Sequence, residues 1–430
     1  LLRMGLSSQN EWLALQKDYI EHGHRGQGGS GPSSDADAAA AATVAASPWH
    51  PRSFYLRVGR VTAGPIGTLA GTLEAIRREV PGADDELADP PVVEELSAVE
   101  LAGRVPQIGL VPGVEEAIFM PRDGFIMCAS AALDALAWAA RRAGAVIKED
   151  EQVVGVDLTS RTVTTASGAT YRYGRKLLVA AGPWTNQVLE SGGLAPLPLV
   201  VSNEQTIDFG ERDGWNSSTS PDGTGSNPGY STADGMPLLS WSNAGYKGKA
   251  ASGQTRYFYC VPTVAVVSEP GAEGRKTVVE HQSSTAGFKI GYHRMGPLMD
   301  NDEFRVSPAG RAGVGARHQR PGFSSAQSFE ADPLALQATQ EFVTHTLPGL
   351  DPSKINLLCR CLYQNTPDIQ MMLGRHPSAC DTKVADDVVV MCGFSGRYGL
   401  AGCRCGLLVE TWRLLYCIFS FNPFAFASFV

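Results

Sequence analysis

Two periodicities of apolar and polar residues divide the chain into strands and helices. Alternation or short apolar blocks predict strands at residues 54–61, 116–125, 152–158, 162–165, 169–173, 176–181, 257–261 and 288–293. In the second, the strand is expected to end in a turn at Asp123-Gly124. Helical spacing predicts helices at 6–20, where Trp12, Leu13, Leu15 and Tyr19 sit beside polar residues, and at 68–80, 92–101, 130–144 and 334–347. Ser7 or Ser8 is expected to cap the first helix, and Gly144 to close the helix at 130–144. The block Val388-Val389-Val390-Met391-Cys392 stops abruptly at Gly393-Phe394-Ser395-Gly396. An apolar run that ends in glycines predicts an interior parallel strand delivering the chain to a helix N-terminus, the junction where α/β proteins bind cofactors. A second apolar strand, 176–181, runs into Ala181-Gly182-Pro183-Trp184.

Residues 23–48 break the pattern. They are Gly- and Ser-rich, then alanine-rich, and cannot bury enough apolar surface to offset the entropy of ordering, so a disordered insertion is expected. Gly26-Gln27-Gly28-Gly29-Ser30-Gly31 has the spacing of a dinucleotide fingerprint. That motif works only between a strand and a helix, and here no apolar strand precedes it and Pro32 follows. It is read as linker. Long polar loops are expected at 210–232, 243–255, 266–285 and 300–327.

The chain's 430 residues, 43% hydrophobic and 19% charged, can bury a large core in two or three domains. A net charge of −8 gives no electrostatic footprint for nucleic acid, and no basic run suggests an anionic membrane. Nine cysteines, several inside apolar elements, argue against a disulfide framework and for a reducing compartment. The apolar stretch 414–430 is 17 residues long and contains Asn422-Pro423, against the roughly 20 that a membrane span needs, so a packed segment is expected. No signal peptide is visible, and the last tripeptide, Ser428-Phe429-Val430, is no peroxisomal signal.

Cys361-Leu362-Tyr363, Thr366-Pro367-Asp368, Arg375-His376-Pro377 and the segment 393–400 follow one another in an order and spacing that resembles the glycine/D-amino-acid oxidase superfamily, in its monomeric sarcosine oxidase, N-methyl-amino-acid oxidase and pipecolate oxidase branch. The resemblance implies a flavin enzyme of α/β class (α+β overall): a Rossmann-like FAD-binding domain interleaved with a mixed or antiparallel sheet domain that holds substrate. Residues 1–62, 130–198 and 359–430 would form the FAD domain, with 63–129 and 199–358 forming the substrate domain. No strand with Gly-x-Gly-x-x-Gly can be placed before the first helix, so an N-terminally truncated FAD domain is expected.

Residue by residue, the resemblance implies that Cys361 carries FAD as a thioether, with Cys359, two positions away, as its competitor. It sets Val153, Ala181, Gly182 and Trp184 at the adenine end of the cofactor, and Gly393, Ser395 and Gly396 at the flavin ring. Lys289 and His293 share one face of a strand by alternation; the resemblance sets the lysine over the flavin and the histidine in the substrate pocket. Tyr363 would hydrogen-bond a substrate carboxylate. The family's carboxylate-binding lysine is replaced by Leu400, which leaves Arg397 as the substitute cation.

The function implied is oxidation of a secondary amine or N-methyl amino acid, sarcosine-like or pipecolate-like, by a monomer that uses oxygen and releases an imine and peroxide. The expected compartment is cytoplasmic or peroxisomal. Two other readings are open: an inactive remnant that does not retain FAD, and a zinc protein using Cys359, Cys361, Cys403 and Cys405. The second is weak, since structural zinc pairs have wider spacing.

Overall fold

The computed structural model describes residues 2–23, 55–64, 69–71, 73–74, 92–109, 115–127, 129–215, 227–243, 256–264, 287–299, 331–369, 372–377 and 387–393. In chain order the elements are α1 (Leu2–His22), β1 (Tyr55–Gly64), β2 (Glu94–Ser97), α2 (Ala98–Arg104), β3 (Glu116–Met127), α3 (Ala129–Arg142) and β4 (Val153–Asp157). There follow β5 (Thr162–Thr165), β6 (Thr170–Arg172), β7 (Leu177–Val179), α4 (Thr185–Ser191), β8 (Val200–Glu211), β9 (Leu238–Asn243), β10 (Arg256–Val261) and β11 (Phe288–Tyr292). The chain continues with β12 (Leu298–Met299), α5 (Pro333–Thr346), β13 (Leu350–Asn365), β14 (Met372–Arg375) and β15 (Val388–Cys392). The fold is of mixed α/β class, as expected.

Three local expectations are corrected. The first helix starts before Ser7 and Ser8, so neither is its cap. Residues 92–101 are not one helix: β2 ends at Ser97, and α2 begins there because Ser97 and Glu100 form a capping box. The Glu100 amide donates to Ser97 Oγ at 3.3 Å and the Ser97 amide donates to Glu100 Oε2 at 2.7 Å. Asp123-Gly124 is no turn. β3 runs on to Met127, and the irregularity predicted there becomes a bulge against β1, where the register shifts between Val58 and Arg60.

The chain divides into two compact units, residues 1–135, 205–294 and 330–359, and residues 136–204, 295–329 and 360–430. In the first unit the strands run in the order β8-β11-β10-β9-β1-β3-β2, with β13 also paired to β8. The sheet is mixed, since β1 is antiparallel to β3 and parallel to β9. Alternation sends Ile207, Phe209, Phe258, Cys260, Phe288 and Ile290 to one face, where they bury in a single core with Phe342 and Val343 of α5. Phe342 stacks on Phe258, with ring centroids 4.4 Å apart, and meets Trp241 edge-on at 6.0 Å. Asp332 starts α5 by accepting the Leu334 amide at 3.1 Å, with Pro333 in the first turn.

The second unit holds the meander β4-β5-β6 and the sheet β14-β15-β7. Val388 and Val390 of β15 and Leu177 and Val179 of β7 are buried in its core with Leu189 of α4. β15 is the middle strand, parallel to β7 and antiparallel to β14. Asp387, just before β15, accepts from Arg161 at 2.5 Å and Lys176 at 3.2 Å, which ties the entry of this strand to the β4–β5 turn and to the residue before β7. Among the described residues no helix is long and apolar enough to cross a membrane.

Candidate functional site

Because Ile207, Phe209, Phe288 and Ile290 face α5, their neighbours Thr206, Asp208, Lys289 and Gly291 take the opposite face of the same sheet. Register then decides who meets whom. Lys289 lies directly across from Asp208, and Gly291 across from Thr206 on one side and Tyr259 on the other. A Cβ on Gly291 would come within 2.1 Å of the Tyr259 ring, so the ring occupies the space a side chain here would need. His293 follows at the end of β11, its amide donating to the Tyr257 carbonyl at 2.7 Å.

This face is unusual in its electrostatics. Asp208 has no exposed surface, and neither of its carboxylate oxygens has a hydrogen-bond partner. Burial pushes its carboxyl up to about 7, with the Lys289 cation pulling the other way. Cys359 of β13 belongs to the same cluster. Burial raises its thiol, Lys289 opposes that rise, Asp208 adds to it, and a hydrogen bond with Thr206 lowers it. A thiol held protonated in this way is a poor nucleophile.

In the second unit, the parallel strands β7 and β15 both run out at their C-terminal ends into glycines with left-handed backbone. Gly182 has φ +51° and Gly393 φ +75°. Gln364, buried on β13, joins the two turns: its Nε2 donates to the Gly182 carbonyl at 2.5 Å and its Oε1 accepts from the Gly393 amide at 3.2 Å. The crevice outside the carboxyl ends of adjacent parallel strands is where open α/β sheets take up nucleotides. A Cβ built on Gly182 would meet nothing within 4 Å, so the turn leaves its approach clear. The residues present therefore fit a dinucleotide cofactor at these turns.

The expected site residues fall into groups. Lys289 stands on the sheet face of the first unit, and His293 follows the end of β11 in the same unit. Ala181, Gly182, Trp184 and Gly393 lie at the turns of the second, the Trp184 amide donating to the Ala181 carbonyl at 3.0 Å. Val153 opens β4, and it packs with Ala181 on the same core. Tyr363 lies in β13, where its carbonyl accepts from Asn365 Nδ2 at 3.2 Å. Cys361 is also a β13 residue, but its side chain lies outside the described residues, as do Ser395, Gly396 and Arg397, together with the insertion expected at 23–48 apart from its first residue.

Three residues at these places escaped the sequence reading: Asp208, Tyr259 and Gln364. Asp208 carried a signal, a lone acid between Ile207 and Phe209 in a strand. Its partner Lys289 is 81 positions away, and only the sheet register joins them. Gln364 adjoins Tyr363 and points to the other face, which alternation alone could have flagged.

Residues 1–230 match the family model described as FAD dependent oxidoreductase (DAO). Among curated proteins, the chain is similar to human peroxisomal sarcosine oxidase, 27% identical over 336 residues that make up 78% of this chain and 67% of the relative. It is likewise similar to the mouse peroxisomal sarcosine oxidase, 26% identical over 341 residues, 78% of this chain and 68% of the relative. Among solved structures it resembles NikD, an unusual amino acid oxidase essential for nikkomycin biosynthesis, with a TM-score of 0.55 at 18% identity, covering 94% of this chain and 78% of that one. It also resembles L-proline dehydrogenase from P. horikoshii, with a TM-score of 0.52 at 15% identity, covering 97% and 82%. These structural likenesses are likenesses of fold.

Proposed function

The chain belongs to the DAO family of FAD-dependent oxidoreductases, and from that premise we propose that it oxidises a secondary amino acid, sarcosine-like or pipecolate-like, with oxygen as acceptor. That it is an FAD-dependent amine oxidoreductase follows from the family and from its sarcosine oxidase relatives. The choice of substrate and acceptor is our inference. The observation that carries the acceptor is Lys289, a cation beside a buried carboxyl on the sheet face turned away from α5, and the substrate class rests on the sarcosine oxidase relatives. An inactive remnant is not favoured, given the match of residues 1–230.

FAD, when bound, supplies the acceptor for the two electrons of the C–H bond next to nitrogen and returns them to oxygen, so that amine and oxygen give imine and hydrogen peroxide. The chain's residues supply position and charge. Val153, Ala181, Gly182 and Trp184 would line the adenine end, and Gly393, Ser395 and Gly396 the flavin end. Cys361 would hold the ring covalently; its neighbour Cys359 is the poorer candidate because burial keeps its thiol protonated. Lys289 offers an ammonium where negative charge develops as oxygen is reduced. His293 would stand in the substrate pocket, while Tyr363 and Arg397 would hold the substrate carboxylate, orienting the C–H bond. The imine leaves and hydrolyses in water.

We take the protein to act as a monomer, in the cytoplasm or, like the two relatives in name, in the peroxisome. The test is peroxide production by the purified, FAD-loaded chain across a panel of primary, secondary and tertiary amino acids. Turnover of sarcosine or pipecolate is expected. Turnover restricted to primary amino acids would overturn the substrate class.

A further inference from the structure

Among the described residues, Asp208 is the carboxylate with both oxygens buried and neither hydrogen-bonded. An apolar side chain would fill its place at lower cost, because a carboxyl without partners loses its hydration and gains nothing in return. What it has is a neighbour. Its strand β8 pairs with β11, where Lys289 is the residue directly opposite, and with β13, where Cys359 feels its charge and bonds to Thr206. Lys289 and Cys359 are the titratable groups, among those described, that interact with it.

We propose that Asp208 is a positioning residue for the oxidation: its carboxyl, set across from Lys289 by the sheet register, decides how much of the ammonium's charge reaches the flavin and the oxygen it reduces. The proposal rests on the reading of Lys289 as the flavin-facing cation. When Asp208 is ionised, the pair carries no net charge. When the carboxyl takes a proton from solvent, the pair carries one positive charge. Burial, opposed by Lys289, brings the carboxyl to about 7, so both forms are populated near neutral pH and the face gains charge as pH falls. Cys359, whose thiol is kept protonated, adds no charge to this balance.

Lysine methylation with a 13C label reads this coupling without turnover or substrate. In the full chain, the signal of methylated Lys289 is assigned by its loss in Lys289→Arg, which the reagent does not label. The Lys289 signal is expected to titrate with an inflection near neutral pH in the wild type and to lose it in Asp208→Asn. Should that variant fail to fold, Asp208→Leu, which needs no hydrogen-bond partner, carries the same comparison. A flat Lys289 signal in the wild type, or an inflection that survives removal of the carboxyl, overturns the proposal. The premise fails differently: Lys289→Met would react with oxygen as fast as wild type while the wild-type titration persists, which removes the role in oxidation and leaves the coupled pair.

Discussion

At Asp208 a single side chain couples folding to pH, and the sign follows from the direction of its shift. Its folded carboxyl titrates at about 7, above the ordinary carboxyl range, so between the two values the folded chain binds more protons than the unfolded one. The contribution of this one group to stability is then greatest in acid and falls as pH rises towards 7, by up to about 1.4 kcal/mol per pH unit, and levels off above it. Asp208→Asn is expected to remove this slope and to gain on the wild type as pH rises, measured by urea unfolding at several pH values. An unchanged slope in the variant would contradict the burial argument. At Lys289, replacement by methionine is expected to slow the oxygen reaction by about 10²–10³, the scale of losing one preorganised charge donor, and to leave flavin reduction by substrate nearly unchanged. Stopped-flow measurement of the two half-reactions separates these effects. Lys289 was legible in the sequence because alternation isolates it between Phe288 and Ile290. Asp208 carried the same local hint between Ile207 and Phe209, but its meaning lies in a cross-strand pairing that no local pattern encodes.

Among elements, the parallel strand β15 and its glycine turn were legible from an apolar block ending in Gly393. The link from that turn to Gly182 was not, since it runs through Gln364 of a third strand. Gln364→Leu should leave the Gly393 amide and Gly182 carbonyl without this partner at a cost of about 1–3 kcal/mol. Thermal unfolding together with FAD titration checks this; stability and affinity should fall together. Gly182→Ala adds a side chain where there is space but where φ is +51°, so the expected loss is about 1–2 kcal/mol, from backbone strain alone. The reading of residues 92–101 as one helix failed for a physical reason. Glu94 and Glu95 pair with Phe119 and Ile118 of β3, and this long-range pairing overrides local helix preference until Ser97 and Glu100 cap the next turn.

For the whole molecule, composition set the scale of the core, and motif order placed the chain in its family before any contact was known. The mixed α/β class was legible in the alternation of the two periods. What periodicity could not deliver is the division of the chain, because each compact unit is assembled from three separate segments. The reaction proposed is oxidation of a secondary amino acid by FAD, with the electrons handed to oxygen. Its most direct test is the visible spectrum of the FAD-loaded chain, mixed first with sarcosine or pipecolate without oxygen and then with oxygen. The yellow flavin absorption is expected to bleach on the first mixing and to return on the second with release of peroxide. A flavin that stays oxidised with every secondary amino acid tried would contradict it.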